Sequence, residues 1–259
     1  MKYNKLKLIY FSPAGTTRRT LENIAEGCGI DHIESIDITD FDTRWKTHEF
    51  GPDELVLIGM PVYAGRIPAP VALFFNRVKV DGAACVPVVV YGNRAYEDAL
   101  LELKNIAEAC GFYTVAAGAF IAEHSLCSSV ARGRPDAADR EQQADFGRRI
   151  MSMLESSDRR DEPIVVPGNF PYKNGMDLPF SPEAGENCNL CGDCVPVCPV
   201  KAIDPRKPSR TDELRCILCG ACIKACPLGA RTMLHPRLQS LESGIAKIGN
   251  ERKPAELFI

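Results

Sequence analysis

The sequence predicts two joined units: a doubly wound α/β domain built on a parallel sheet, and a second, smaller α+β domain organised by metal. Three observations carry this. Strand-like and helix-like segments alternate over residues 1–155, the pattern of βαβ units. Eight of the twelve cysteines lie between positions 188 and 226. Between these regions, residues 156–187 hold five prolines, three glycines and no periodicity, the texture of a linker. The expected division is therefore a first domain at 1–157, a tether at 158–185, a cysteine-rich domain at 186–235 and a C-terminal helix or tail at 236–259.

Each element follows from local pattern. "KLKLIYF" (5–11) is the first strand, and a polar turn leads to the helix "TTRRTLENIAEG". "HIESIDIT" (32–39) alternates as the second strand. The connection 40–53 is short and holds the lone tryptophan, Trp45, so a reduced helix at most is expected there. "ELVLIGM" (54–60) is the third strand, and "PAPVALFFNRVKV" after it is predicted as a helix opened by proline. "ACVPVVVYG" (84–92) is the fourth strand. "AYEDALLELKNIAEACG" follows as a helix with apolar residues at helical spacing and a terminal glycine. "FYTVAAGAFIAE" (112–123) is the fifth strand. The last helix covers 136–157, with Asp136 near its start as a cap. In the tail, Leu238, Leu241, Ile245 and Ile248 form a helical stripe expected to dock on one of the domains.

Bulk properties exclude several functions. A 259-residue chain with 45% apolar residues buries a full core. The net charge of −3, from 31 basic and 34 acidic residues, argues against a nucleic-acid partner. No apolar run approaches the ~18 residues of a membrane span. The N-terminal lysines and apolar patch resemble a signal peptide, but Lys7 interrupts the patch and no small-residue cleavage site follows, so a buried strand and a cytoplasmic location are expected. No Ser-His-Asp or HExxH arrangement points to hydrolysis.

The cysteines carry the strongest signal. "CNLCGDCVPVCPV" begins at Cys188 and "CILCGACIKACPLGA" at Cys216; both read C-x2-C-x2-C-x3-C-P and share Gly192/Gly220, Pro199/Pro227 and Ala202/Ala230. In this pattern the first three cysteines surround one cubane and the fourth ligates the neighbouring one. The expected sets are Cys188, Cys191, Cys194 and Cys226 for one [4Fe-4S] cluster, and Cys216, Cys219, Cys222 and Cys198 for the other. A pair of zinc sites is the alternative, since CxxC pairs bind zinc too; it explains neither the third CxxC step nor the repeated proline. Residues 186–235 resemble bacterial two-cluster ferredoxins. From 186 to 259 there are 11 basic and 8 acidic residues, so the +3 excess largely offsets the negative charge of two thiolate-ligated clusters.

The first strand runs into "FSPAGTTRRT" (11–20), a hydroxyl-rich glycine turn at a helix start, which suits an anion. It lacks the GK[ST] ending of a Walker loop and does not match GxGxxG. It resembles the phosphate loop of flavodoxins, with Ala14 in place of a hydroxyl residue and Arg18 or Arg19 available to compensate. That resemblance extends over residues 1–155 and implies a flavodoxin-like sheet of order 2-1-3-4-5, with FMN at the carboxyl ends of strands one, three and four. The loops "MPVYAGRIPAP" and "YGNRAYEDA" fall at the flavin-holding positions. The implied FMN residues are Ser12, Ala14, Gly15, Thr16 and Thr17 for the phosphate, with Pro61, Val62, Tyr63, Ala64, Gly65, Gly92, Asn93, Arg94 and Tyr96 around the ring. Tyr63 and Tyr96 are expected to stack, and the amides of Ala64, Gly65, Asn93 and Arg94 to meet the ring's polar edge.

The whole chain thus resembles flavodoxin–ferredoxin fusion proteins, and "PGNFPYK" and "ARGRPDAADR" look familiar from that family without a derivable role. The implied function is electron transfer between FMN, two [4Fe-4S] clusters and an external redox protein. The alternatives are an FMN-dependent reductase of a quinone, disulfide or activated alkene, and clusters that serve only as structural or sensing elements. Cys28, Cys85 and Cys110 are expected as small buried hydrophobes, Cys127 as a thiol on the cofactor side of the sheet, and His124 as a hydrogen-bonded structural histidine.

Overall fold

The computed structural model describes residues 3–156, 163–175, 180–233, 235, 243–245, 247 and 251–259. Strand β1 (Lys5–Tyr10) leads into helix α1 (Thr16–Cys28), followed by β2 (Ile33–Asp37), a 3-10 turn at Thr43–Trp45, β3 (His48–Phe50) and β4 (Glu54–Pro61). Next come α2 (Ala72–Phe75), β5 (Val78–Val80), β6 (Ala84–Tyr91), α3 (Ala99–Ala109), β7 (Tyr113–Thr114), β8 (Ala117–Ile121) and α4 (Ala137–Ser156). The cysteine-rich half contributes β9 (Glu183–Ala184), α5 (Ala221–Lys224) and β10 (Arg231–Thr232), and the chain closes on β11 (Glu256–Phe258).

The main sheet runs β2-β1-β4-β6-β8, parallel throughout. Counting its long strands in chain order, this is 2-1-3-4-5, the flavodoxin-like winding. β4 and β6 are buried along nearly their whole length because helices cover both faces, which is why they read as continuous apolar runs. Alternate residues divide between the faces. Leu6, Leu8, Leu55 and Leu57 pack with Leu21, Ile24, Phe146 and Ile150 of α1 and α4, while Ile9, Val56, Ile58 and Val89 pack with Leu100 and Leu103 of α3. α1 and α4 touch backbone to backbone: a Cβ on Gly27 would lie 1.8 Å from Ala144 O, and one on Gly147 2.1 Å from Ile24 O. Asp136 caps α4, its Oδ1 accepting from Ala138 N and Asp139 N at 3.0 and 3.1 Å.

Four expectations need correcting. The helix over 68–80 shrinks to a 3-10 turn at Ala69–Val71 and the four residues of α2, after which Val78–Val80 pairs in parallel with β3. Two β-branched valines flanking Lys79 suit a strand wherever a free ladder is at hand. The fifth strand is broken into β7 and β8 around Val115 and Ala116. The tether is not free: in 163–175, Ile164 and Val166 enter the core on the α3 side, and the Asp98 carboxylate accepts from Asn169 N, Asn169 Nδ2 and Lys173 N at 2.9, 3.2 and 2.7 Å. Finally, the tail ends in a strand, with β11 adding antiparallel to β8. Of the tail stripe, Ile245 is described, and Leu238, Leu241 and Ile248 lie outside the described residues. Among the described residues no helix is long and apolar enough to cross a membrane.

Candidate cofactor sites

A cavity of about 970 Å³ opens at the carboxyl ends of β1, β4 and β6. This is where the winding reverses and where doubly wound sheets bind ligands. Its floor is Pro13, Ala14, Thr16 and Thr17 at the start of α1, and its sides are the loops after β4 and β6. The first loop is a tight turn: Tyr63 N donates to Arg66 O at 2.9 Å and Arg66 N to Tyr63 O at 3.2 Å. Ala64 and Gly65 both have positive φ, 53° and 82°, as such a two-residue connection demands. At Gly65 a side chain would also strike the Glu97 carboxylate, 1.9 Å from an added Cβ.

Ala14, Thr16, Thr17, Pro61, Val62, Tyr63, Ala64, Gly65, Gly92 and Arg94 all line the cavity. Four of the named residues do other work. Ser12 accepts from Arg18 N through its hydroxyl at 3.0 Å and so acts as a cap. Gly15 turns the chain into α1 with φ 82°. Asn93 Nδ2 donates to Glu251 O at 2.7 Å. Tyr96 sits in the core, edge-on to Tyr91, and its hydroxyl donates to the Glu256 carboxylate at 2.7 Å. Both of these last partners lie about 160 residues downstream. The expected stacking role of Tyr96 is thereby lost, and Tyr63 alone of the two lines the cavity.

Three further walls close the cavity; the sequence pointed to the loop at 124–136 under the reductase reading and missed the other two. His124, Ser125 and Leu126 close the side beyond β8. His124 Nδ1 accepts from Leu126 N at 3.2 Å and Cys127 N at 3.1 Å, and burial, with the charge of Arg94, pushes the ring below its ordinary pKa. The neutral ring therefore carries its proton on Nε2. A Cβ on Gly92 would lie 2.3 Å from this imidazole, so glycine is needed there. Lys173, Asn174 and Gly175 form a second wall. Lys173 belongs to the "PGNFPYK" segment, whose role the sequence left blank.

The third wall is the cysteine-rich half itself. Glu213, Leu214, Cys216, Ile217 and Leu218 line the cavity opposite the sheet. Ile217 packs against the core on the α3 side, and burial together with the charge of Cys219 drives the Tyr63 hydroxyl well above its ordinary pKa. Lys224 Nζ reaches Ala14 O at 3.3 Å, Lys201 pairs with Asp42 at 3.1 Å, and buried Arg44 donates to Pro199 O.

Within that half the two repeats are related structurally. Leu190 and Leu218 share positive φ (61° and 56°), as do Gly192 and Gly220 (86° and 74°). Cys198 Sγ accepts from Ala202 N and Cys226 Sγ from Ala230 N, each at 3.2 Å. The electrostatic neighbours cross between repeats: Cys216, Cys219 and Cys222 each feel Cys198. Burial pushes the Cys219 and Cys222 thiols up to about 12 and 11, and the Cys216 thiol upward. Cys226 goes the other way, lowered by the backbone N–H groups of Arg231 and Ala230. Among the described residues no three His, Cys, Asp or Glu side chains converge tightly enough for a single metal ion. The backbone N–H groups that meet Cys198 and Cys226 suit thiolate ligands.

Comparison with known proteins agrees with this. Residues 187–230 match the family described as "4Fe-4S dicluster domain". No curated protein matches the chain. Among solved structures, a flavodoxin from the domain Archaea is 14% identical with a TM-score of 0.42, covering 58% of this chain and 99% of its own. The two-electron reduced flavodoxin of Megasphaera elsdenii is 19% identical with a TM-score of 0.37, covering 57% and 98%. The apo form of the NADH:FMN oxidoreductase EMOB is 14% identical with a TM-score of 0.40, covering 60% and 91%. The strand order, and not these distant likenesses, makes the first half flavodoxin-like. The chain joins a flavodoxin-like sheet to a 4Fe-4S dicluster domain.

Proposed function

We propose that the chain carries electrons between FMN held in the 970 Å³ cavity, two [4Fe-4S] clusters, and an external redox protein. The observation that carries this reading is the shared wall: Cys216, Ile217 and Leu218 face the same cavity as the sheet's ligand loops. The ligand sets are Cys216, Cys219, Cys222 and Cys198 for the cluster beside the cavity, and Cys188, Cys191, Cys194 and Cys226 for the outer one. Cys191 is exposed, which suits the outer set to meeting a partner. When bound, the flavin supplies one- and two-electron exchange and each cluster takes one electron at a time.

The protein's own part is to hold these groups close and dry. Thr16 and Thr17, at the positive end of α1, receive the phosphate. The Ala64–Gly65 turn would hold the ring through its amides, and Tyr63 would offer it an aromatic face. Ile217 and Leu218 would keep water out of the cavity wall next to Cys216. Asp42, Arg44 and Ala14 fasten the two halves through Lys201, Pro199 and Lys224. Anaerobic purification with flavin extraction, iron and sulfide counts and a reductive titration followed by EPR tests the reading. One FMN and two cubanes per chain are expected; zinc, or a preparation without yellow chromophore, overturns it.

A second reading rests on His124. Its neutral ring lines the cavity with Nε2–H available as a donor, and the volume is at the upper end for a ligand pocket, with room for a small acceptor beside a flavin. Under this reading the chain reduces a quinone, disulfide or activated alkene. Turnover with a panel of such acceptors, slowed at least tenfold in His124→Gln, distinguishes an enzyme from a carrier.

A further inference from the structure

Arg231 is 3% exposed and surrounded by neutral acceptors. Nη1 donates to Pro182 O at 3.1 Å and Thr211 Oγ1 at 2.8 Å, and Nη2 donates to Pro208 O. Among the described residues no carboxylate lies within pairing distance of it. A guanidinium stays charged in any protein setting, and burying one without an acid partner is costly. A methionine or glutamine would fill the space between β9, β10 and Pro208 at lower cost, so the charge itself calls for an explanation.

The surroundings supply it. The Pro208 carbonyl that takes Arg231 Nη2 also lies 3.6 Å from Cys194 Sγ, a proposed ligand of the outer cluster. The charge of Arg231 acts on Cys216 and Cys222 of the inner set and on Cys226 of the outer set. Cys194 packs in one cluster with Cys222 of the inner set, and Ala230, next to Arg231, donates to Cys226 Sγ at 3.2 Å, so the guanidinium lies near members of both sets. Each cluster, on reduction, gains one electron and one negative charge and takes up no proton. A fixed cation in a low-dielectric interior favours that change strongly.

We propose that Arg231 is a counter-charge shared by both clusters, which raises their reduction potentials and lets the pair accept electrons from a donor of modest strength. Arg231 is a positioning residue for charge and ligates nothing. The proposal rests on the cluster assignment, which the iron and sulfide content of the parent chain reports separately.

The test is EPR-monitored redox titration of the full chain and of Arg231→Gln, Arg231→Lys and Thr211→Val, each with iron content measured. Arg231→Gln at parental iron content should lose at least tenfold in the equilibrium constant for cluster reduction, about 59 mV for a one-electron step. Arg231→Lys and Thr211→Val, which keep the charge, should stay within about threefold of the parent. A fully loaded Arg231→Gln with parental potentials overturns the proposal. So does a fully loaded Arg231→Lys that falls tenfold. If Arg231→Gln and Arg231→Lys both lose their iron while Thr211→Val keeps it at unchanged potentials, Arg231 is a scaffold residue and the proposal fails.

Discussion

The two halves of this molecule are held together by different physics. The sheet half buries two apolar layers, with Leu6, Leu21, Leu55, Phe74 and Phe146 fully enclosed. The cysteine-rich half has a core of Cys194, Ile203 and Cys222, flanked by Val195, Cys198 and Ile223, and its regular elements are two to four residues long. At about 25 cal/mol per Å² of apolar burial, so small a cluster cannot offset the entropy of ordering some 50 residues. Two of its three core members are proposed ligands. The first half folds by burial; on the proposed ligand sets, the second folds by coordination.

The largest expected effect follows from that contrast. A chain prepared without iron and sulfide, or carrying Cys198→Ser with Cys226→Ser, should lose amide protection throughout 183–233 while the sheet keeps its own cooperative transition. Hydrogen exchange at Ala202 and Ala230, whose N–H groups meet Cys198 and Cys226, is the direct readout. Protected amides in the metal-free chain would break the comparison.

The sheet half has its own sensitive point, the Arg134–Asp139 pair at 2.5 Å with side chains only 7% and 5% exposed. Asp139→Ala strands a buried guanidinium, and a loss of about 3–5 kcal/mol is expected. A denaturant titration should show this in the sheet transition alone, with iron content unchanged. A loss below 1 kcal/mol would mean that this buried pair contributes no more than an exposed one.

The strap over 163–175 is next in size. Asp98 accepts three N–H groups from Asn169 and Lys173, and the backbone N–H of Lys173 leads in holding its carboxyl below the usual range. Asp98→Ala should cost about 1–3 kcal/mol and open the strap to proteolysis. This segment also shows what the sequence hid. The cysteine runs were legible because ligand spacing is written in consecutive residues. The parallel winding was legible because β4 and β6 are unbroken apolar runs. The strap, strand β11 and the duty of Tyr96 were not, because each depends on a partner far along the chain: Asp98, the edge of β8, and Glu256. Proline-rich composition signals irregular backbone and says nothing of what covers it. Within the site, the sheet's loops were visible in sequence, and the wall supplied by Cys216–Leu218 depended on how the halves dock.

A smaller effect depends on pH. Arg252, with the N–H groups of Asp139 and Ala138, holds the Asp136 carboxyl far below its ordinary 3.8. A carboxyl depressed in the folded state adds stability that is present above its unfolded pKa and lost as pH falls through the folded one. The stability gap between the parent and Arg252→Gln should therefore be constant near neutrality and close as pH drops below about 3.8. Both side chains are about half exposed, so added salt should narrow the gap at every pH.

The smallest effect sharpens the view of the phosphate loop. Arg18 was one of two candidates, with Arg19, to compensate for Ala14. Instead its guanidinium pairs with Glu22 one turn along α1 at 2.7 Å, both side chains being well exposed, and Arg18 is not among the residues lining the cavity. An exposed i,i+4 pair stabilises by about 0.3–0.5 kcal/mol. Arg18→Ala should shift the sheet transition by no more than that and leave FMN affinity within about twofold of the parent, measured by flavin fluorescence quenching. Ala14→Thr, which restores a hydroxyl on the cavity floor, should tighten FMN by several-fold and leave riboflavin unchanged, because only FMN carries the phosphate. If Arg18→Ala weakens FMN tenfold while riboflavin holds, Arg18 swings to the phosphate on binding, and the floor is completed by charge and not by α1 alone.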